Sequence, residues 1–365
     1  MPRLVEVAVA RLATPLHTPF TTALRRATAL ASVVVRLTDA DGRTGYGEAP
    51  QVWRITGESL VGIEACVLGP LADVLLAAEP GAPPPLLAGA LEDAVVGNSG
   101  AKAACEIAAA DLAARRLGQP LHRLLGASAS SVATDVTVAA DAAPETTAKH
   151  TADGFRHLKV KVGVDPDDIA RVRRIHEQAP EPVRIRIDAN QGWDVETAIG
   201  AVTAWLDAGV DVELLEQPLA RADLRGHAAL RQALPVPVML DESVFSAVDL
   251  QRALDAGSAD MVNVKLAKCG GLHAGIELAR QAQDAGLGVM VGSMLESDLG
   301  VSAAAALAAA VAPDAVHDLD TAWWSIDAGS GEQTPYEGDR YRLAESPGLE
   351  RAVRRLGPLH WVERR

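Results

Sequence analysis

Five charged residues follow one another along the chain at nearly even intervals. They are Lys161, Asp188, Glu216, Asp241 and Lys265, and each ends a short apolar run. The intervals between them are 27, 28, 25 and 24 residues, which is the length of a strand, a helix and two short loops in a parallel α/β unit. Because the carboxyl ends of the strands in a parallel barrel open onto one face, we expect the five charges to line one pocket.

Three of the five residues are carboxylates on consecutive runs: Asp188, Glu216 and Asp241. A site that offers only oxygen ligands suits a hard cation such as Mg²⁺, which keeps coordination positions for water or substrate. The alternative is that each acid caps the next helix or pairs with a basic neighbour. Three acids in the same register would repel one another strongly without a cation, so we favour the metal site.

Lys161 and Lys265 lie on the runs before and after the acids, so we expect them to face each other across the pocket. Burial near cations lowers the pKa of a lysine toward the range of a general base. A base on each side of one carbon removes a proton from one face and returns it to the other, which inverts the stereocentre. A solvated strand lysine is the alternative for Lys161, and the matching pair of Lys265 and Lys268 argues against it. We expect Lys159 and Asn190 to steady the substrate carboxylate or the residues behind it, and we count Lys268 among the substrate-binding residues.

Composition argues against several classes of function. The chain has 365 residues, a net charge of −14 and a pI near 5.1, whereas a nucleic acid or an anionic membrane needs a basic surface. Cys66, Cys105 and Cys269 form no CxxC pair, as expected in a reducing cytoplasm. We find no signal segment and no uncharged apolar run of about 18 residues. We therefore expect a cytoplasmic protein without a membrane partner, and we also expect a homo-oligomer.

The pattern of apolar residues predicts three regions. Residues 1–125 are typical of an α+β capping domain, with strand-like alternation to residue 50 and Ala-rich helices after it. Residues 126–325 alternate eight strand candidates with amphipathic helices, which predicts a (β/α) barrel. We expect residues 326–365 to pack back on the capping domain. An open doubly wound sheet is the alternative, but no glycine fingerprint follows the first strand.

The motifs around these charges resemble those of the enolase superfamily, specifically its muconate-lactonizing-enzyme-like subgroup. The matching segments span essentially the whole chain: KVK at 159–161, DAN at 188–190, EQP at 216–218, DES at 241–243 and KLAKCGG at 265–271. The resemblance implies a modified TIM barrel with an α+β capping domain, Mg²⁺ as cofactor, and removal of the proton α to a carboxylate. It also implies that Asp188, Glu216 and Asp241 are metal ligands and that Lys161 and Lys265 are the acid–base pair.

Asp318 and Asp320 form an Asp-x-Asp at the end of the eighth strand candidate. Carboxylates at this rim suit a cationic group such as a free α-ammonium, and the dipeptide epimerases of the family look like this. A loop turn with helix-capping value is the alternative. Arg25 matches the position that receives a distal carboxylate in the Ala–Glu enzymes, although a surface charge also explains it. The segments TPFTTALRRAT at 18–28 and RITGES at 54–59 resemble the capping-domain loops that close over the pocket in dipeptide epimerases.

Ser293, Met294 and Glu296 resemble the rim of the seventh strand, where backbone groups contact the substrate, and a tight βα turn is the alternative. The leading hypothesis is a Mg²⁺-dependent epimerase that inverts the C-terminal residue of an L-Ala-D/L-Glu type dipeptide. Racemisation of N-acylamino acids and o-succinylbenzoate synthesis are rival activities, and their substrates lack the free amine for an Asp-x-Asp. A metal- or ligand-binding protein without catalysis is a remote alternative.

Three tryptophans bear on the side-chain preference. Trp53, Trp323 and Trp324 stand near the expected side-chain pockets. If they line those pockets, they favour an epimerase of hydrophobic dipeptides. The alternative is that they pack the capping domain on the barrel, as large aromatic residues usually do.

Overall fold

The computed structural model describes residues 3–80, 83–143, 145–165, 167–179, 182–326 and 334–365. The strands in this part of the chain are β1 (Leu4–Thr21), β2 (Arg26–Asp39), β3 (Thr44–Pro50), β4 (Ser131–Thr134), β5 (Val136–Val138), β6 (His157–Lys161), β7 (Arg184–Asp188), β8 (Val212–Glu216), β9 (Val238–Leu240), β10 (Met261–Lys265), β11 (Gly288–Gly292), β12 (Val316–His317), β13 (Tyr336–Glu337), β14 (Arg340–Arg342) and β15 (Val362–Arg364). The helices are α1 (Leu60–Cys66), α2 (Ala72–Ala77), α3 (Pro84–Ala94), α4 (Ser99–Leu117), α5 (Leu121–Leu124), α6 (Thr146–Ala152), α7 (Asp168–Gln178), α8 (Val195–Asp207), α9 (Leu224–Ala233), α10 (Ala247–Ala256), α11 (Leu266–Cys269), α12 (Leu272–Asp284), α13 (Asp298–Val311) and α14 (Glu350–Arg354). A π-helical turn at Val67–Leu71 joins α1 to α2.

The capping domain is built on an antiparallel sheet in the order β15-β1-β2-β3. The long helix α4 packs against β2 and β3. Two glycines of β3 allow this close approach, because a Cβ at Gly45 or Gly47 would meet the carbonyl oxygen of Ala108 at 2.2 Å or of Ala104 at 2.1 Å. A larger residue at either position would push α4 away from the sheet.

The barrel is built on seven parallel strands in the order β11-β10-β9-β8-β7-β6-β5. Their apolar residues are buried, as expected for strands between a filled core and covering helices. The short β12 pairs in parallel with β4, and Asp318 just after it bridges Gly292 at the end of β11. Since only Asp135 separates β4 from β5, the last strand bonds to both ends of the sheet and closes the ring.

The eighth strand is shorter than the predicted segment at 314–320. Asp318 still bonds to β11, since its N–H donates to the carbonyl oxygen of Val291 at 3.0 Å. The ladder ends at Leu319, whose N–H donates to the side-chain oxygen Oγ1 of Thr134 at 2.9 Å. The C-terminal segment also divides between the two domains. The strand β14 pairs with β4 of the barrel, and only β15 returns to the capping sheet, beside β1. Residues 327–333 of the predicted segment lie outside the described residues.

One helical stretch in the described part of the chain, Leu60–Ala77, is long and apolar enough to cross a membrane by length and composition. Its side chains Ile63, Leu71 and Leu75 are fully buried in the core of the capping domain. These contacts are those of a core helix in a folded domain.

Two buried glutamates of the capping domain hold the N-termini of barrel helices. Glu48 on β3 accepts hydrogen bonds from the N–H groups of Ser297 at 3.0 Å and Gly300 at 3.1 Å, at the start of α13. Glu106 on α4 accepts one from the N–H of His273 at 2.8 Å, at the start of α12. The first N–H groups of a helix have no partner inside it, and a carboxylate there also offsets the helix dipole. Both contacts join the capping domain to the barrel.

Replacement of Glu48 by alanine tests this link. Glu48→Ala leaves N–H groups of α13 buried without an acceptor, so we expect the free energy of unfolding to fall by about 3 kcal/mol in chemical denaturation. The exposed Glu79 provides the control, since Glu79→Ala should change it by less than about 0.5 kcal/mol. Equal stability of the two variants would contradict the role of Glu48.

Candidate active site

All five regularly spaced charges stand at the carboxyl edge of the barrel. In the strand register, Lys161 lies opposite Asp188, and Asp188 lies opposite Glu216. Asp241 follows β9 directly, and Lys265 ends β10. The three strands β7, β8 and β9 separate β6, which carries Lys161, from β10. The two lysines therefore reach the edge from different sides of the acids, as the sequence predicts.

The backbone is strained where the strands deliver these residues. Asn190 has φ 43°, Gln191 has φ 69° and Gln217 has φ 36°, a region that side-chain-bearing residues rarely occupy. All three follow an acid at the end of β7 or β8. Strained conformations of this kind concentrate at functional sites because the surrounding structure must enforce them.

Each lysine of the expected acid–base pair is buried and bonded to an expected metal ligand. Lys161 Nζ donates to Asp188 Oδ2 at 2.5 Å, and Lys265 Nζ donates to Asp241 Oδ2 at 2.8 Å. At Lys265, the neighbouring acids oppose the expected lowering of the pKa. Burial does lower its pKa, but the negative charges of Asp241, Asp318 and Glu216 outweigh burial and raise it above the usual value.

Lys159 lies beneath the cavity at the centre of the carboxylates. Its side chain is 0% exposed, and Nζ stands 2.7 Å from Glu216 Oε2, 2.7 Å from Asp318 Oδ2 and 3.2 Å from Asp188 Oδ2. Burial lowers the pKa of Lys159, yet these three acids raise it well above the usual value. Lys159 therefore acts on the acids directly and balances their charge.

Lys268 holds one of the acids from below. Its Nζ lies 2.6 Å from Asp241 Oδ1 and donates to the carbonyl oxygens of Val244 at 3.1 Å and Asn263 at 2.9 Å. Burial raises the pKa of Asp241, but Lys265 and Lys268 outweigh it and hold that pKa below the usual range. Lys268 therefore lies behind Asp241. It does not line the cavity that Lys161 and Lys265 line.

The donor set of Asp188, Glu216 and Asp241 fits a hard divalent cation. All three side chains are at most 2% exposed. Among the described residues, Glu216 Oε2 and Asp241 Oδ1 have no hydrogen bond of good geometry, and their close neighbours are the ammonium groups of Lys159 at 2.7 Å and Lys268 at 2.6 Å. Within the described part of the chain, no three His, Cys, Asp or Glu side chains are grouped around one point where a metal ion could sit, so the fit rests on the donor type and the burial of the three acids. Lysine ammonium groups bond the three acids instead, and they supply the positive charge that such a cluster needs.

Two residues that support the acids were not predicted from the sequence. Asn263 on β10 donates from Nδ2 to Glu216 Oε1 at 2.9 Å. Gln217 accepts at Oε1 from the backbone N–H groups of Asp241 at 2.8 Å and Ser243 at 3.1 Å. A polar residue inside the apolar run MVNVK was the available signal for Asn263. Both residues orient ligands through neighbouring strands, as residues behind a metal site usually do.

Asp318 and Asp320 line the same cavity but differ in environment. Burial raises the pKa of Asp318, but Lys159 and Lys265 outweigh it and lower that pKa to about 2. Burial and the charge of Asp318 raise the pKa of Asp320. Asp320 Oδ2 accepts hydrogen bonds from the N–H of Thr137 at 2.7 Å and from Trp324 Nε1 at 2.8 Å. The pair therefore presents one firmly ionised carboxylate and one that is held by its neighbours.

Of the three residues expected at the rim of the seventh strand, two line the cavity and one does not. Ser293 and Met294 line the cavity, and Ser293 Oγ lies 3.0 Å from Thr321 Oγ1. Glu296 is buried outside the cavity lining and accepts a hydrogen bond from the N–H of Met294 at 3.0 Å. Burial and the nearby Glu48 raise the pKa of Glu296 to about 8. The structure thus gives Glu296 the role of bracing this loop rather than contacting a ligand.

Of the three tryptophans considered for the side-chain pockets, none lines the cavity within the described residues. Trp53 is 63% exposed, and Trp324 is 2% exposed. Trp323 and Trp324 pack against His17 of the capping domain, with ring centroids 4.9 and 5.4 Å away. They fasten the β1–β2 hairpin to the barrel, which is the alternative considered for them.

The cavity opens between the barrel edge and two loops of the capping domain. Its lining is shared by charged, small polar and apolar side chains: Phe20, Thr22, Leu24, Arg25, Val52, Arg54, Ile55, Thr137, Lys161, Asn190, Asp241, Glu242, Lys265, Ser293, Met294, Leu295, Asp318, Asp320 and Thr321. Arg25 faces it without an ion pair among the described residues. A cavity with two lysines beside an acidic cluster can move protons at a carbon next to a carboxylate.

A parallel barrel with three acids between two lysines at its carboxyl edge, under an antiparallel cap, defines the enolase-like class of barrel proteins. Residues 141–353 match the family described as Enolase C-terminal domain-like. Residues 4–126 match the Mandelate racemase / muconate lactonizing enzyme N-terminal domain. The chain belongs to the mandelate racemase and muconate lactonizing enzyme family.

Comparison with individual proteins gives close relatives along nearly the whole chain. The L-Ala-D/L-Glu epimerase of Bacillus subtilis strain 168 is 36% identical over 353 residues, with 95% of this chain and 96% of the relative covered. A substrate-liganded structure of the Bacillus subtilis epimerase has a TM-score of 0.91, with 96% of this chain and 98% of that chain covered. A dipeptide epimerase from Enterococcus faecalis V583, complexed with Mg and L-Leu-L-Tyr, has a TM-score of 0.88 and 32% identity, with 95% and 99% covered.

Removal of Lys159 tests whether its charge stabilises the acidic cluster. Lys159→Met leaves buried carboxylates unbalanced, so we expect the free energy of unfolding in chelator to fall by about 3 kcal/mol. Chemical denaturation measures this change. Lys149→Met is the control because Lys149 is exposed. If both variants were equally stable, Lys159 would not balance the cluster.

Proposed function

We propose that this protein is a Mg²⁺-dependent epimerase of dipeptides, which inverts the α-carbon of the C-terminal residue. The observation that carries the proposal is the shared cavity: Lys161 and Lys265 face it together with Asp318 and Asp320. The lysines supply a base and an acid, and the aspartates supply a site for a free amine. The named relatives in Bacillus subtilis and Enterococcus faecalis support the same class of reaction.

The two lysines perform the proton transfer. In its neutral form, either Lys161 or Lys265 accepts the α-proton, and the protonated lysine on the other face donates one to the planar enediolate. Bound by Asp188, Glu216 and Asp241, Mg²⁺ would supply positive charge beside the substrate carboxylate, where the enediolate gains negative charge. The buried setting of these residues keeps bulk water from the reacting carbon.

The substrate amine would pair with the acidic rim. Asp318 is ionised, because its pKa is lowered to about 2, and an ammonium close to it gains a charge-assisted hydrogen bond. Thr137 and Trp324 hold the Asp320 carboxylate beside it. An N-acylated amino acid offers no α-ammonium to this rim, so the acidic pair favours dipeptides over the rival substrates.

The side chain of the reacting residue would extend toward the capping loops. Arg25 at that end suits a glutamate side chain, as in an L-Ala-D/L-Glu type substrate. A second candidate is a hydrophobic dipeptide, since Phe20, Leu24, Val52 and Ile55 also line the cavity. We further propose a homo-oligomer in the cytoplasm, for which size-exclusion chromatography with light scattering and cell fractionation are the direct tests.

Exchange in D₂O tests the two-base reaction. We expect the protein with Mg²⁺ to exchange the C-terminal α-proton of L-Ala-L-Glu and to form the second diastereomer, both followed by ¹H NMR. Lys161→Ala and Lys265→Ala should each lower the epimerisation rate by about 10³-fold. Each variant should still exchange the α-proton of the diastereomer whose proton faces the remaining lysine.

The substrate panel separates the candidates. L-Ala-L-Leu tests the hydrophobic preference, and N-acetyl-L-Ala-L-Glu tests the need for a free amine at Asp318 and Asp320. Lys149→Ala serves as the lysine control. No exchange for any dipeptide, with exchange of N-acylated amino acids instead, would rule out the proposed reaction.

Metal affinity tests the supporting role of Asn263. Asn263→Ala removes the donor that orients Glu216, so we expect Mg²⁺ affinity to fall by roughly tenfold or more. Isothermal titration calorimetry of the metal-free protein with MgCl₂ measures this, and Asn98→Ala in the capping domain is the control. Unchanged affinity would place the ion away from Glu216.

A further inference from the structure

A second arginine faces the cavity from the capping domain. Arg54, on the loop after β3, lines the same cavity as Arg25, Lys161 and Lys265. No ion pair or side-chain hydrogen bond of Arg25 or Arg54 is present among the described residues. Both guanidinium groups are therefore available to a ligand carboxylate in the cavity that they line.

The loop that carries Arg54 is fixed on the barrel. The buried side chain of Val52 packs with Ala267 and Met294, which lie on the barrel side of the cavity. The carbonyl oxygen of Val52 accepts hydrogen bonds from the N–H groups of Thr56 and Gly57, both at 3.1 Å. These contacts fold residues 52–57 into a tight turn that includes Arg54.

A buried glutamate fastens the end of the same turn. The N–H of Val52 donates to the carbonyl oxygen of Glu58 at 3.2 Å. The Glu58 carboxylate accepts from the N–H groups of Gly100 at 2.9 Å and Ala101 at 3.0 Å, at the start of α4. Because both ends of the turn are anchored, the fold holds the backbone of Arg54 at the cavity mouth.

The turn that carries Arg25 is fixed in a similar way. Thr22 Oγ1 accepts from the N–H groups of Leu24 at 3.1 Å and Arg25 at 3.3 Å, and the N–H of Thr22 donates to the carbonyl oxygen of Arg25 at 2.9 Å. Burial lowers the pKa of Arg25. A guanidinium that is partly removed from water without a partner is costly, and a ligand carboxylate removes that cost.

We propose that Arg54 is a second specificity-determining residue that acts with Arg25 on the side-chain carboxylate of the reacting residue. Arg25 lies in the wall of the cavity, and Arg54 lies exposed at its mouth. The substrate class is therefore dipeptides with an acidic C-terminal residue. This inference rests on the proposed function, in which Asp318 and Asp320 hold the amine of the dipeptide.

Two substrates of equal shape and different charge test the assignment. For Arg54→Ala, we expect kcat/KM with L-Ala-L-Glu to fall roughly tenfold, mainly through KM, because a charge-assisted contact at the rim is lost. With L-Ala-L-Gln, kcat/KM of Arg54→Ala should stay within about twofold of the value for the parent protein. Arg54→Lys should fall between Arg54→Ala and the parent protein for L-Ala-L-Glu, since lysine keeps the charge but not the planar fork.

Trp53→Ala is the matched control, because Trp53 sits on the same loop, is 63% exposed and does not line the cavity. Trp53→Ala should leave kcat/KM unchanged for both substrates. If Arg54→Ala left the Glu-to-Gln preference unchanged, or lowered turnover of both substrates equally, the role of Arg54 would be refuted while the proposed function stood.

Binding keeps this test independent of turnover. Calorimetric titration of L-Ala-L-Glu and L-Ala-L-Gln into the parent protein and Arg54→Ala should give the same loss of preference for glutamate. If the parent protein exchanged no α-proton of any dipeptide, the proposed function would fail. Equal affinity of the parent protein for the two ligands would then overturn the inference as well.

Discussion

The barrel edge depends on the balance between buried carboxylates and buried lysines. Asp188, Glu216 and Asp241 are almost fully removed from water, where an unpaired charge is far more costly than at a surface. Lys159 has no exposure and contacts Glu216 and Asp188 together. Any reaction at this edge that moves a lysine ammonium group away from an acid must therefore put another positive charge in its place. This constraint explains why the lysines are as deeply buried as the acids.

The sequence could predict this edge because parallel strands share one direction. Once each strand and helix unit has nearly constant length, charges at strand ends fall side by side, as Lys161 and Asp188 do in the register. It could not predict the sign of the pKa shift at Lys265, since burial and nearby acids act in opposite directions and only distances decide between them. Asn263 and Gln217 were missed for a related reason: their partners lie on other strands.

Residue type alone also failed to separate the acids that line the cavity from the acids that brace a loop. Glu296 and Asp320 both lie in segments that match substrate-binding loops of the family, yet Glu296 bonds to its own loop. Asp320 reaches the cavity while Trp324 and Thr137 hold it. Which way a loop side chain turns depends on the neighbours that the fold supplies, such as the hairpin packed on Trp324. The eighth strand ends early because the N–H of Leu319 bonds to the side chain of Thr134 and not to a neighbouring strand.

The two domains divide the work at the cavity. The groups that would move protons come from barrel strands, where Lys161 and Lys265 are fixed by ion pairs with the acids. The groups that would read the substrate side chain come from turns of the capping domain, which carry Arg25 and Arg54. Glu48 and Glu106 hold that domain to barrel helices, and Val52 holds the Arg54 turn on Ala267 and Met294. A change confined to the side chain of Arg25 or Arg54 leaves these contacts in place, so it can alter the side-chain preference while the lysines keep their positions.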